Sequence, residues 1–130
     1  SYVRVLGEIV KELRNLAGDL DVAMVVLSQL NRGVESRDNK RPMLSDLRDS
    51  GEIEQDADQV IGIYRDDYYY PQRAQQENLV GFVELITLKG RQTGAGRTSL
   101  VRFLPGRTAW EDLPESEVLR YLQLRGKEMR

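Results

Sequence analysis

Val22-Ala23-Met24-Val25-Val26-Leu27, followed at once by Ser28-Gln29-Leu30-Asn31-Arg32, is the stretch on which the fold turns. An unbroken apolar run rich in β-branched side chains suits a strand covered on both faces, as in a parallel α/β sheet. Upstream, Leu6, Ile9, Val10, Leu13, Leu16, Ala17 and Leu20 recur at helical spacing among Arg4, Glu8, Lys11, Glu12 and Arg14. That spacing predicts an amphipathic helix over residues 2–20 with one face on a core. Helix followed by buried strand is the second half of a βαβ unit. Ser28 to Arg32 are then expected at the strand's carboxyl end, where open α/β sheets place their ligands.

Downstream, Gly33 to Ser45 is polar and irregular, with Pro42 inside it. Helical potential returns from Ser45 to Asp56 and is interrupted by Gly51. Val60, Ile61 and Ile63 mark a strand over residues 58–64, and the polar residues 65–78 are expected to form a solvent-exposed loop. Residues 79–88 and 98–104 read as further strands, separated by the permissive turn Gly94-Ala95-Gly96. Asp112-Leu113-Pro114-Glu115 resembles a capping box opening a helix. Its stripe of Val118, Leu119, Tyr121 and Leu122 can dock on its own domain or on a neighbour.

The composition narrows the chemistry. The chain has 130 residues, a net charge of -2, no Cys and no His. Disulfides, thiolate metal sites, thiol nucleophiles and His-based triads are therefore excluded. Catalysis must use carboxylates, Lys, Arg, amides or backbone groups. No global basic field points to nucleic acid or membrane. No apolar run reaches the roughly 18–20 residues that a membrane span needs, and the first residues do not read as a signal peptide. The expectation is a cytoplasmic protein.

Two clusters could bind phosphate. Between Asn31 and Asp58 lie Arg32, Arg37, Lys40, Arg41 and Arg48 among eight acidic residues. Gly51 beside Arg48, Asp49 and Ser50 would expose backbone N–H groups able to hold a phosphate. The same residues also fit a charged loop with internal ion pairs. Lys89-Gly90-Arg91 follows an apolar strand, and in extended geometry both cations share a face. Such a pair suits the charge of a transferring phosphoryl group, or simply blunts a strand end against aggregation. Gln29 can contact a ligand or satisfy loop backbone. Asp66 and Asp67 fit a solvated pair better than a metal site, and no metal-binding residue is assigned. No G-x-x-x-x-G-K-[ST] phosphate loop is present.

Taken together, Ser28 to Arg32, Lys40 to Gly51, Ile53 to Asp58, Tyr64-Arg65-Asp66 and Lys89-Gly90-Arg91 resemble the C-terminal half of the ATPase domain of DnaB-type replicative DNA helicases, which are RecA-like ring proteins. The resemblance covers residues 1–113, leaving 114–130 as a C-terminal helical extension. It implies an α/β fold: part of a RecA-like P-loop NTPase core with a mostly parallel central sheet, flanking helices and a C-terminal antiparallel, hairpin-like part. It implies Gln29 as the γ-phosphate sensor, with Lys89 and Arg91 reaching the neighbouring subunit's ATP and Arg91 as the arginine finger. Arg48, Asp49 and Gly51 fall where the family's central-channel loop touches single-stranded DNA. The family more often has Glu in place of Asp49. Arg65 and Phe103 are implied as neighbours of the adenine.

The family's phosphate-binding loop, Mg²⁺-binding Thr, catalytic Glu and Walker B Asp have no counterpart in this sequence. The resemblance therefore implies a fragment of an ATP- and Mg²⁺-dependent homohexameric helicase. It would act in the bacterial cytoplasm and nucleoid, meet primase and loader through the parent protein, and be inactive alone. A RecA-like recombination or repair ATPase, or a non-enzymatic fragment that joins full-length helicase, are the alternatives.

Overall fold

The computed structural model describes residues 2–92 and 94–129, without the side chains of residues 48–52. Helix α1 (Tyr2–Leu20) forms as its periodicity predicts. It lies against helix α2 (Gly51–Asp56) and the 3-10 stretch Leu44–Ser50 that precedes it. Gly7 is buried, and Arg14 pairs with Asp56 at 3.5 Å. Asp21, with φ 52, turns the chain out of α1, a conformation that Asp tolerates better than most residues.

Residues 22–27 do not form the expected buried strand. They run without ladder partners, and Val25 and Leu27 are 85% and 93% exposed. A strand of this composition needs a hydrogen-bonded neighbour and cover on both faces. The four described strands pair with one another and leave it neither. Ser28 to Arg32 consequently do not sit at a sheet edge.

The sheet has the order β1-β2-β3-β4, from β1 (Gln59–Arg65), β2 (Phe82–Gly90), β3 (Thr98–Leu104) and β4 (Ala109–Asp112). Every neighbouring pair is antiparallel, so this chain carries the antiparallel part of the expected architecture and no parallel pair among its described residues. In the register Val60 faces Lys89, and the ladder is irregular between Val60 and Ile61. Gly94 and Gly96 adopt φ of 76 and 90 in the turn after β2, where the Gly96 N–H donates to the Thr87 carbonyl at 2.9 Å. Strand β4 has no sequence signature, because four residues are too few to display an alternating pattern.

Residues 66–78 are not an exposed loop either. They form α3 (Asp66–Tyr69) and α4 (Pro71–Gln76), with Pro71 opening the second helix. Asp66 and Ala74 are buried. The segment's polarity misleads because its buried charge is neutralised by partners rather than by water.

The core joins Ala74, Leu79, Phe82 and Tyr121, flanked by Leu100, Leu113 and Met129. The Phe82 and Tyr121 rings stack at 5.5 Å. Tyr121 belongs to α5 (Glu115–Arg125), so the C-terminal helix docks on its own domain. Its start is not a capping box: Asp112 closes β4, and Pro114 occupies the cap position without a side-chain bond. Among the described residues no helix is long and apolar enough to cross a membrane.

Candidate functional site

Lys89 and Arg91 meet at one point. Lys89 Nζ donates to the carbonyl oxygens of Glu54 at 2.5 Å and Gln55 at 3.2 Å. Arg91 donates to the same Gln55 carbonyl at 3.1 Å and pairs with Asp58 at 3.1 Å. Those carbonyls belong to the last turn of α2, whose final C=O groups have no partner inside the helix. Two cations there also complement the negative end of the helix. The Arg91 side chain stays 42% exposed.

At its other end α2 begins at Gly51, which follows Arg48, Asp49 and Ser50. The side chains of residues 48–52 lie outside the described residues, and with them the expected contacts of Arg48, Asp49 and Gly51. The chain leading into them is firmly held. Asp46 accepts two bonds from Arg37, at 2.6 and 3.0 Å, and one from the Met43 N–H at 2.7 Å. The Arg37 bond keeps the Asp46 carboxyl below the usual carboxylate range, against the opposing effect of burial. The Asp46 carbonyl in turn accepts from the Asn31 N–H at 3.0 Å.

Arg41 is fixed more deeply. Its Nε and NH2 donate to Glu84 at 2.9 and 2.6 Å, and its guanidinium lies 4.3 Å from the centre of the Tyr64 ring. Glu84 has no solvent exposure and also accepts from the Tyr121 hydroxyl at 2.5 Å. Burial lowers the Arg41 pKa, but the bonds to Glu84 more than reverse this and leave it raised. The adjoining Pro42 presses on Gly62, where an added Cβ would lie 2.8 Å from Pro42 Cγ and 3.0 Å from Leu88 Cδ1.

The remaining candidates fall into two places. Gln29 is exposed on the unpaired segment, and among the described residues no hydrogen bond links it to Lys89 or Arg91. Arg65 and Phe103 do come together, with the guanidinium 5.5 Å from the ring centre. Arg65 also pairs with Asp67 at 3.2 Å, and Trp110 packs 5.2 Å from Phe103. This group lies at the opposite end of β1 from Lys89, whose partner Val60 is five residues, or roughly 17 Å, from Arg65.

Sequence reasoning missed the buried charge network entirely. Asp66 accepts from Arg125 and Arg73, while Arg125 also donates to Glu77 at 2.8 Å. Burial pushes the Asp66 carboxyl up, but the two arginines outweigh it and hold it below the ordinary range. Its residues are scattered from 66 to 125, and no local pattern announces them.

Comparison with known proteins fits this geometry into a class. Two solved structures share the fold with a TM-score of 0.79 and 39% identity over 88% of this chain: one solved as an ATPase domain, the other a DnaB-like replicative helicase described with its interactions with primase. The chain covers 38% and 27% of them, respectively. The likeness bears out the expected fold class, part of a RecA-like ATPase core. The family model for the DnaB-like helicase C-terminal domain matches residues 2–112, and the chain belongs to that family. The replicative DNA helicase DnaC of Bacillus subtilis is 48% identical over 95 residues, 73% of this chain and 20% of the relative. The replicative DNA helicase DnaB of Geobacillus stearothermophilus is 46% identical over 95 residues, with the same coverage. The chain thus spans about a fifth of the length of these curated relatives.

Proposed function

We propose that this chain works within a homohexameric, ATP-driven replicative helicase that moves along single-stranded DNA and separates the duplex at a replication fork. The observation that carries the reading is that one helix, α2, joins the two expected phosphate-binding elements. Gly51 and its loop open it, and Lys89 and Arg91 meet its far end. Six residues span about 9 Å, so a displacement at one end reaches the other with little loss.

Arg48 and the backbone around Gly51 hold DNA phosphates, with Asp49 beside them. Repetition of the loop around a ring multiplies a weak contact, so a chain with net charge -2 needs no basic patch of its own. Arg91 reaches the neighbouring subunit's nucleotide as an arginine finger, with Lys89 as its companion. Both fit phosphate: they are cations at an exposed strand end, and their present partners are mainly neutral carbonyls. Gln29 senses the terminal phosphate, and Arg65 with Phe103 flanks an adenine. The separation of that pair from Lys89 suits a subunit that holds one nucleotide and reaches for another.

ATP supplies the phosphoryl transfer that drives movement. Among the described residues no group of three or more His, Cys, Asp or Glu side chains able to hold a metal ion occurs, so they do not by themselves fit a Mg²⁺ site. The family's nucleotide cradle has no counterpart in this sequence, so the 130-residue chain alone hydrolyses no ATP. Primase and loader meet the assembled protein, in the bacterial cytoplasm and nucleoid. Arg48→Ala in the assembled protein tests the DNA side. It should weaken single-strand binding and reduce the salt slope by about one phosphate contact. Unchanged affinity and slope would remove the loop from the DNA path.

A further inference from the structure

Strand β2 touches the proposed DNA-binding segment twice. Glu84 on β2 grips Arg41, seven residues ahead of Arg48. Lys89, on the same strand, grips the carbonyls of Glu54 and Gln55, just behind Gly51. Between these points Pro42 lies over Gly62 of β1, so the segment is seated on the β1–β2 ladder rather than hanging from it.

The two attachments differ in kind. The first is buried and fully specified: Arg41 forms a fork on Glu84, stacks on Tyr64, and shares Glu84 with the Tyr121 hydroxyl. Opening it would leave unpaired charge out of water, which is strongly unfavourable. The second joins partly exposed cations to neutral backbone oxygens and to the exposed Asp58. A phosphate oxygen competes well for such cations, because charged acceptors form the stronger hydrogen bonds.

We propose that Glu84, acting through Arg41, is a positioning residue for the Arg48–Gly51 loop: β2 holds the loop segment at a fixed end, on Glu84, and at an exchangeable end, on Lys89 with Arg91 just past the strand. This rests on the reading of the loop and the cation pair given above. When Lys89 and Arg91 turn to a phosphate, the carbonyl end of α2 is released while the Arg41 end stays. The loop then pivots about Arg41 instead of coming free, and DNA affinity depends on how rigidly Arg41 is seated.

The test uses the assembled full-length protein carrying this sequence, with Arg41→Lys, Arg125→Lys and Arg48→Ala compared for ssDNA-stimulated ATPase, ATP binding without DNA, and melting. Arg41→Lys keeps the charge but loses the planar fork. It should raise the oligo-dT concentration for half-maximal stimulation about 3- to 10-fold, with ATP affinity within twofold. Arg125→Lys loses the fork on buried Asp66, away from Glu84, and should lower melting comparably while leaving half-saturation within twofold. If Arg41→Lys fails to assemble, Arg41→Gln with Glu84→Gln substitutes a neutral pair at the same anchor, and the same 3- to 10-fold rise is expected. Equal half-saturation in the Arg41 and Arg125 variants, with Arg48→Ala impaired, would overturn the inference and leave the loop reading standing. An unimpaired Arg48→Ala would overturn both.

Discussion

Arg125 on the C-terminal helix donates to both carboxylate oxygens of Asp66, from Nε at 3.2 Å and from NH2 at 3.1 Å, with Asp66 wholly buried. The contact fastens residues beyond the family match to the turn that follows β1. A buried pair of this kind contributes little net stability, yet losing one partner is costly because the other charge is stranded. Asp66→Ala leaves the buried Arg125 hydrogen-bonded to a single carboxylate, Glu77 at the edge, and loosens Arg73, and should destabilise the chain by about 3 kcal/mol in urea unfolding. Replacing Asp66 and Arg125 together by apolar residues of similar volume should recover most of the loss. A loss under about 1 kcal/mol for the single substitution would show that the network is idle.

The same carboxylates set the response to acid. Arg37 holds Asp46, and Arg125 with Arg73 holds Asp66, below the ordinary aspartate value of 3.8. A carboxylate whose folded pKa is depressed stabilises the fold above its unfolded pKa, and that stability is lost as pH falls toward the folded one. The urea midpoint should therefore be insensitive to these groups at neutral pH and drop as pH falls below about 4. Asp46→Asn should flatten part of that drop. A midpoint that rose on acidification would contradict the assignment.

Gly62 is required by packing rather than by backbone conformation. A methyl group there meets Pro42 and Leu88 at 2.8–3.0 Å. Gly62→Ala should displace Pro42 and cost about 1–3 kcal/mol, the usual penalty of overpacking. Urea unfolding of this variant, paired with Gly94→Ala at a position with no neighbour within 4 Å, measures the clash. Gly94 carries its own backbone strain at φ 76, so only a loss at Gly62 accompanied by shifted Pro42 NMR signals supports the packing account.

How far the sequence can be read follows from which forces act locally. The apolar spacing of Leu6, Ile9, Leu13 and Leu20 predicts α1 directly, and Val60, Ile61 and Ile63 predict β1, shifted by one residue. Val25 and Leu27 mislead because a strand's burial is set by neighbours, and among the described residues they have no strand beside them. Asp66, Arg73 and Arg125 are unreadable in principle: their pairing spans 59 residues, and each looks like ordinary surface charge. At the candidate site, Lys89 and Arg91 are legible as a pair sharing a face. Their attachment to the carbonyls of Glu54 and Gln55 is not, because main-chain acceptors leave no mark in a sequence.

Whether Arg91 acts on a neighbour's nucleotide is tested most directly by ATP hydrolysis and nucleotide binding in the assembled Arg91→Ala protein. An arginine finger predicts that kcat falls by about 10³-fold or more, while nucleotide affinity changes less than about tenfold. Near-normal hydrolysis, or loss of nucleotide binding by the unassembled subunit, would contradict that role.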